Sequence, residues 1–219
     1  MDLCYTNLGS FFAKRGFLTV IPDYRLTPVA KYPNPSEDVR DALAYVVENL
    51  SDVGDVDNLF VMAHSAGSAI AITVFLHPTL ITEGKGANVD LRKHVKAINL
   101  MAGAYTYEGP PGAAYPGFIE QFFETNSEEK VPLGLLKTAS PSIVSSLPPI
   151  LISRSERDAE PILYSQQVFV DLLQQKLGRE LEIAIAKEHN HISPHWALET
   201  GDGEEWGEEV ANWFKKHTS

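Results

Sequence analysis

One serine, one aspartate and one histidine, far apart in the chain, could together perform nucleophilic catalysis. Ser65 is the centre of Ala63-His-Ser-Ala-Gly67, which has the form small-x-Ser-x-small. A serine hydroxyl is a poor nucleophile at neutral pH and needs a base to remove its proton. Histidine can supply that base, and a carboxylate then holds its tautomer and stabilises the imidazolium. Asp158 and His191 are the candidates for these two roles, in the chain order Ser, Asp, His.

The residues around Ser65 predict a sharp turn from a strand into a helix. The apolar run 59–63 is typical of a strand buried on both faces. The small residues after Ser65 lead into an apolar pattern that favours a helix. Such a turn strains its central residue and needs little side-chain bulk two positions before and after it. The hydroxyl of Ser65 would then stand above the sheet at the positive end of a helix.

The rest of the chain predicts an α/β fold with a mostly parallel sheet flanked by helices. Apolar runs predict five strands, at 17–21, 59–63, 95–101, 149–153 and 181–186. Helical patterns separate them, which is typical of parallel sheets with right-handed crossovers. Sites in such sheets lie beyond the carboxyl ends of the strands. Ser65, Asp158 and His191 each follow the end of a predicted strand, so we expect them to meet there.

Other local patterns predict where helices begin. The first dozen residues have helical spacing, and Ser36 is a plausible N-cap for a second helix because acidic residues follow it. Pro161 suits the first position of a helix that Gly178 ends. The last helix is expected from about Gly203.

The stretch from about 103 to 147 is too long for an ordinary connection in a compact domain. Insertions of this length tend to be functional. Six of the chain's aromatic residues lie here, namely Tyr105, Tyr107, Tyr115, Phe118, Phe122 and Phe123. They could pack in the core, or they could form a helical lid whose aromatic face lines a substrate pocket. We predict one domain over residues 1–219 with this insertion.

Composition excludes several partners. The chain has 219 residues with 18 basic and 29 acidic side chains, a net charge of −11. That charge argues against binding nucleic acid or anionic membranes. Cys4 is the single cysteine, so no internal disulfide forms and a reducing compartment such as the cytoplasm is favoured. No apolar run approaches the roughly 18 residues of a membrane span. Nothing in the sequence indicates an oligomeric state.

Five segments of the chain resemble the α/β-hydrolase fold-3 group, the hormone-sensitive-lipase-like and arylformamidase-like esterases. Phe12–Leu26 is similar to a strand of that group with its following Tyr-Arg-Leu segment, and Lys31–Val39 to the start of its next helix. Ala63–Gly67 resembles the Gly-His-Ser-Ala-Gly nucleophile elbow, with Ala in first position. Ser155–Asp158 resembles the acid loop, and His189–Ile192 the histidine loop. The similarity covers nearly the whole chain.

The resemblance implies a serine hydrolase that cleaves carboxylic esters of small acyl or aryl substrates through an acyl-enzyme, with no metal or cofactor. It favours His191 over His189 as the base, because the histidine of the group commonly precedes an apolar residue. It favours Asp158 over Glu156 and Glu160 as the acid. The expected partner is therefore a small-molecule ester.

The chain departs from the group in one respect. The His-Gly-Gly-Gly segment that supplies oxyanion donors, and the first strands of the fold, have no counterpart here. The backbone N–H of Ala66 is the identifiable oxyanion donor that remains. In the group a further strand lies between the counterparts of 17–21 and 59–63, so here those strands either close up or leave a gap. We expect Met1 to be an internal start of a longer enzyme.

Two alternatives to an esterase stay open. An arylformamidase or amidase would use the same triad. A non-catalytic ligand-binding protein of the same fold would use the aromatic lid, and the absent oxyanion segment favours it. The presence of all three triad residue types opposes it, since a pure binder does not need them.

Overall fold

The computed structural model describes residues 3–82, 88–109, 122–123 and 128–218. Within these ranges, four strands form one parallel sheet in sequential order. The strands are β1 (Leu59–His64), β2 (Val95–Met101), β3 (Ile150–Arg157) and β4 (Glu182–Asn190). The parallel α/β architecture predicted from the sequence is therefore present.

Helices precede and follow these strands along the chain. They are α1 (Leu3–Ala13), α2 (Asn34–Asn49), α3 (Ala66–Leu76), α4 (Leu91–His94), a 3-10 turn (Glu128–Lys130), α5 (Pro132–Thr138), α6 (Pro141–Ser145), α7 (Glu160–Leu177), α8 (Ser193–Ala197) and α9 (Glu205–Lys216). Gly178 ends α7 in the left-handed conformation, at φ 66°. Among the helices that the structure describes, none is long and apolar enough to cross a membrane.

Two separate apolar clusters cover the faces of the sheet most completely at its central strands, β2 and β3, whereas Ile183 and Ile185 of β4 are 46% and 40% exposed. Along β2, Ile98 and Leu100 face one cluster, which contains residues of α2, α3 and α5 to α7. Ala97 and Met101 face the other, which contains aromatic residues of α1 and α9. This alternation follows from the two-residue period of a strand. It gives a three-layer arrangement in which the carboxyl ends of all four strands meet along one edge.

The strand predicted at 17–21 is absent, and this correction affects one end of the sheet. The segment has no regular secondary structure, and Leu18, Val20 and Ile21 are about half exposed. No backbone pairing joins it to β1, which is the edge of the described sheet. An apolar run becomes a strand only where another backbone pairs with it. Residues 17–21 and β1 therefore do not pair with each other. The described residues form four strands instead of the five that the sequence predicts.

The predicted N-cap of the second helix is also wrong. The N-cap position is occupied by Pro33, three residues earlier, and α2 begins at Asn34 with Pro35 in its first turn. Ser36 is buried inside that turn, and its hydroxyl donates a hydrogen bond of 3.0 Å to the carbonyl of Ile70 in α3. Its side chain therefore joins two helices instead of capping one.

The predicted insertion at 103–147 is only partly described. Helices α5 and α6 lie in it, and both pack against α3 and α7. Tyr105 is fully buried, with its ring stacked 4.2 Å from that of Phe169 in α7, so this aromatic residue packs in the core. Tyr115 and Phe118 lie outside the described residues. The aromatic lid therefore stays a prediction.

Candidate active site

Ser65 occupies the turn between β1 and α3. Its backbone has φ 54° and ψ −123°, a positive φ that an L-residue adopts only with strain. The turn is held because the N–H of Ser65 donates to the carbonyl of Met101, at the end of β2, over 2.9 Å. The predicted strand, sharp turn and helix around Ser65 are all present.

Ser68 fastens the first turn of α3 to the ends of two strands. Its buried hydroxyl lies 2.8 Å from the carbonyl oxygen of Ala63 and 2.9 Å from that of Met101. The steric reason expected for small residues does not hold at Gly67, however. A Cβ built on Gly67 would meet no described atom within 4 Å. Hydrogen bonds from Ser65 and Ser68, more than steric crowding at Gly67, therefore define this turn.

The structure brings Ser65, Asp158 and His191 together at the carboxyl edge of the sheet. Each is the residue directly after its strand: Ser65 follows β1, Asp158 follows β3 and His191 follows β4. The Nε2 atom of His191 lies 2.8 Å from Ser65 Oγ, and its Nδ1 atom lies 2.6 Å from Asp158 Oδ1. An ionised carboxylate only accepts hydrogen bonds, so Nδ1 donates and Nε2 is the free base that accepts the hydroxyl proton.

His189, Glu156 and Glu160, the alternatives for the base and the acid, lie outside this set. His189 Nε2 lies 2.6 Å from the carbonyl oxygen of Gly203, and its Nδ1 lies 2.9 Å from Ser193 Oγ. Glu156 accepts a hydrogen bond from the backbone of Glu188. Glu160 is exposed at the first position of α7. In the described part of the chain, none of the three has a hydrogen bond or ion pair with Ser65 or His191 among the interactions shown by the structure.

Burial differs along the row of three side chains. The Asp158 side chain is fully buried, whereas that of His191 is 26% exposed. The second carboxylate oxygen of Asp158 accepts the backbone N–H of Ser155 over 2.7 Å, which fixes the carboxylate plane. The buried carboxylate can therefore hold the ring of His191, while the ring and the hydroxyl of Ser65 stay within reach of a ligand.

Two further histidines stand beside His191, and no role is predicted for them from the sequence. The ring centroid of His64 is 4.6 Å from that of His191, and the ring of His195, in α8, is 4.5 Å from that of His64. Burial, with the proximity of His195 and His191, lowers the pKa of His64 to about 3. Burial, with the proximity of His191, lowers the pKa of His195 to about 4. The sequence signal is the four-residue spacing of His191 and His195 around a short helix.

Ala66 is the first residue of α3 and is exposed. Backbone N–H groups in the first turn of a helix have no partner within that helix. The N–H of Ala66 therefore stands beside Ser65 at the positive end of α3, where it could donate to a developing oxyanion.

This arrangement defines a class: an α/β fold with a nucleophile, base and acid hydrogen-bonded in sequence above the strand ends. A protein-family model described as BD-FAE matches residues 2–104. A carboxyl esterase 2 from the fungus Tuber melanosporum superposes with a TM-score of 0.73 at 23% identity, covering 99% of this chain and 73% of that one. A hyperthermophilic esterase from Pyrobaculum calidifontis superposes with a TM-score of 0.65 at 22% identity, covering 89% and 63%. The chain thus has the α/β-hydrolase fold.

Sequence relatives agree with that fold. A probable isoprenylcysteine alpha-carbonyl methylesterase from Oryza sativa subsp. japonica is 28% identical over 178 residues, which is 77% of this chain and 42% of that protein. A kynurenine formamidase from Meyerozyma guilliermondii is 27% identical over 110 residues, 48% of this chain and 39% of that protein. The chain thus spans about two fifths of the length of these curated relatives. The predicted resemblance to hormone-sensitive-lipase-like hydrolases is confirmed.

Proposed function

We propose that the protein is a serine hydrolase that cleaves carboxylic esters of small acyl or aryl substrates. The observation that carries this proposal is the unbroken row of hydrogen bonds from Ser65 through His191 to Asp158. The hydroxyl in this row belongs to a strained residue at the start of a helix, and the carboxylate is buried. Each of these features is what nucleophilic catalysis by serine requires.

In the first half of the reaction, Ser65 Oγ attacks the carbonyl carbon of the ester. Nε2 of His191 takes the hydroxyl proton as the new C–O bond forms, and Asp158 stabilises the resulting imidazolium. The negative charge passes to the carbonyl oxygen, near the N–H of Ala66. When the tetrahedral intermediate collapses, the bond to the alcohol breaks and Nε2 returns the proton to the departing oxygen. An ester between the acyl group and Ser65 remains.

In the second half, water replaces the alcohol. Nε2 of His191 takes a proton from the water, whose oxygen attacks the acyl-enzyme. Collapse breaks the bond to Ser65 Oγ, which recovers its proton from His191, and the carboxylic acid leaves. Every proton therefore passes through one ring nitrogen, which explains why the 2.8 Å contact with Ser65 matters.

A formamidase is the second candidate, and the similarity to a kynurenine formamidase favours it. The same triad attacks a formamide carbonyl, and the leaving group is then an amine. Hydrolysis of p-nitrophenyl butyrate and of N-formylaniline by one preparation distinguishes the two activities. We expect the ester to have the higher kcat/KM. A higher value for the formamide would assign the protein to the second class.

A ligand-binding protein without catalysis is the rival from another class. Ser65→Ala removes the nucleophile but keeps the fold, and it should lower kcat by about 10⁴-fold or more. A matched control is Ser145→Ala, which removes an exposed hydroxyl that donates to the carbonyl of Ser142 within α6 and should leave kcat unchanged. If neither substrate is hydrolysed faster by the unaltered protein than by Ser65→Ala, the enzyme proposal is wrong.

A further inference from the structure

Three imidazole rings are in contact at the active-site edge, and only one of them belongs to the triad. His64 is the last residue of β1, directly before Ser65, and its ring packs on His191 with centroids 4.6 Å apart and planes tilted by 40°. The ring of His195 packs in turn on the ring of His64, with centroids 4.5 Å apart and an angle of 73° between the planes. The triad base is thus backed by a continuous row of two more rings.

The surroundings keep both added rings neutral. His195 is 4% exposed, and neither of its ring nitrogens has a hydrogen-bond partner in the described ranges; the same holds for Nε2 of His64. The rings that contact His195 from other elements are uncharged, namely Tyr5 of α1 and Trp206 of α9. The nearby carboxylate, Asp158, is hydrogen-bonded to His191 and to a backbone N–H.

We propose that His64 is a positioning residue for His191: its neutral ring holds the base in the plane that joins Asp158 to Ser65 and stabilises the imidazolium that forms there. His195 supports His64 from behind. This inference rests on the proposed function for its consequence in catalysis. Its structural content, a ring that orients another ring, is independent of the reaction.

Two physical effects act on His191. The first is orientation, because the hydrogen bonds to Ser65 and Asp158 define an axis through the ring but leave rotation about that axis to the packing on its faces. The second is electrostatic. The face of an aromatic ring attracts a cation within about 6 Å, by an amount equivalent to roughly 2- to 30-fold in a rate. A protonated His64 would repel the imidazolium instead.

The test compares two substitutions that leave different side chains against His191. His64→Phe keeps an aromatic ring and removes the ring nitrogens, whereas His64→Leu keeps apolar volume and removes the ring. A matched control is His217→Leu. The ring of His217 packs on Trp213 with centroids 4.2 Å apart and a tilt of 41°, nearly the geometry of the His64 pair. Trp213 bonds Glu182, the first residue of β4, so this pair lies at the far end of that strand from His191.

We expect His64→Leu to lower kcat by about 2- to 30-fold with KM unchanged within about twofold. His64→Phe should retain kcat within about threefold, and His217→Leu should match the unaltered enzyme. Folding of each variant is checked by urea unfolding. Equal kcat values in the Phe and Leu variants, or a fall in kcat/KM that arises from KM alone, would overturn the inference.

A second readout does not require hydrolysis. The proton shared by His191 Nδ1 and Asp158 should give a far-downfield proton NMR signal, because the two atoms are 2.6 Å apart. We expect that signal to persist in His64→Phe and to broaden or vanish in His64→Leu, as the ring loses its orientation. A signal of equal intensity in both variants would contradict the inference even in a protein that hydrolyses no ester. Loss in the Leu variant alone, without hydrolysis, would support the positioning role and contradict the proposed function.

Discussion

Removing His64 and His195, whose rings lie beside His191, should make the protein more resistant to acid. The perturbations are His64→Phe and His195→Phe, which keep an aromatic ring and remove a group that must bind a proton on unfolding. Burial lowers the pKa of His64 to about 3 and that of His195 to about 4 in the folded protein. An exposed histidine in the unfolded chain titrates near pH 6.5.

The sign and size follow from proton linkage. Between the folded and unfolded pKa values, the unfolded chain binds more protons, so the free energy of unfolding falls as the pH falls below about 6.5. One pH unit in this window corresponds to about 1.4 kcal/mol per histidine. Lowering the pH from 7 to 5 should therefore cost about 2 kcal/mol for His64 and a similar amount for His195. The free energy of unfolding is therefore highest above pH 6.5, and it falls progressively as the pH approaches the folded pKa values of the two histidines.

The assay is urea unfolding followed by tryptophan fluorescence at pH 7, 6 and 5. Phenylalanine is slightly larger than histidine, but its steric cost is the same at each pH and cancels from the comparison. We expect each variant to lose about 2 kcal/mol less than the unaltered protein between pH 7 and pH 5. The control is His217→Phe, which replaces a histidine that packs on Trp213. It shows how much the pH dependence of stability changes when a ring-packed histidine away from His191 is removed.

The result that would refute this reasoning is a parallel pH dependence. If His64→Phe loses as much stability as the unaltered protein between pH 7 and pH 5, then His64 is not held neutral in the folded state. A gain in the His217 control equal to that of His64→Phe would contradict the reasoning in the same way.

Three further substitutions test the geometry of the site. Ser65→Gly should have a free energy of unfolding about 1 kcal/mol higher than that of Ser65→Ala. Glycine adopts φ 54° without the strain of about 1–3 kcal/mol that alanine bears there, although the greater chain entropy of glycine in the unfolded state offsets part of this gain. Ser68→Ala should cost about 1–2 kcal/mol of unfolding free energy, since the carbonyls of Ala63 and Met101 lose a buried donor. Asp158→Asn should lower kcat by about 10³–10⁴-fold in ester hydrolysis, because an amide at this position can favour the wrong tautomer of the base.

Each of these has a distinct contrary outcome. Equal urea midpoints for the two Ser65 variants would mean that the elbow is not strained. An unchanged midpoint for Ser68→Ala would mean that its two contacts add nothing to stability. A kcat for Asp158→Asn within tenfold of the unaltered enzyme would remove the aspartate from the mechanism.

The edge that carries Ser65, Asp158 and His191 was predictable because each of the three residues follows an apolar run in the sequence. The run 59–63 before Ser65 is continuous and apolar, the strand before Asp158 begins with the apolar residues 150–152, and parallel strands end at a common edge. The apolar run 95–101 likewise predicted β2 as a strand, whereas its position between β1 and β3 is known from the structure.

The failures have one physical cause, which is tertiary context. Residues 17–21 have the composition of a strand, but a strand requires a paired backbone, and none of the described strands pairs with them. Ser36 has the propensity of a cap, yet Pro35 begins the helix earlier and the hydroxyl finds a carbonyl in α3. The contacts of His64 with His191 and with His195 join β1, the end of β4 and α8, and the four-residue spacing of His191 and His195 does not by itself predict that they meet His64.

The central claim is that the hydroxyl of Ser65 is activated by His191. A fluorophosphonate reacts covalently with a serine only when a base removes its proton, and mass spectrometry of the digested protein locates the adduct. We predict stoichiometric modification of the peptide that contains Ser65, slowed by about 10⁴-fold in His191→Ala. Modification at any other serine, or an equal rate of modification without His191, would contradict the claim.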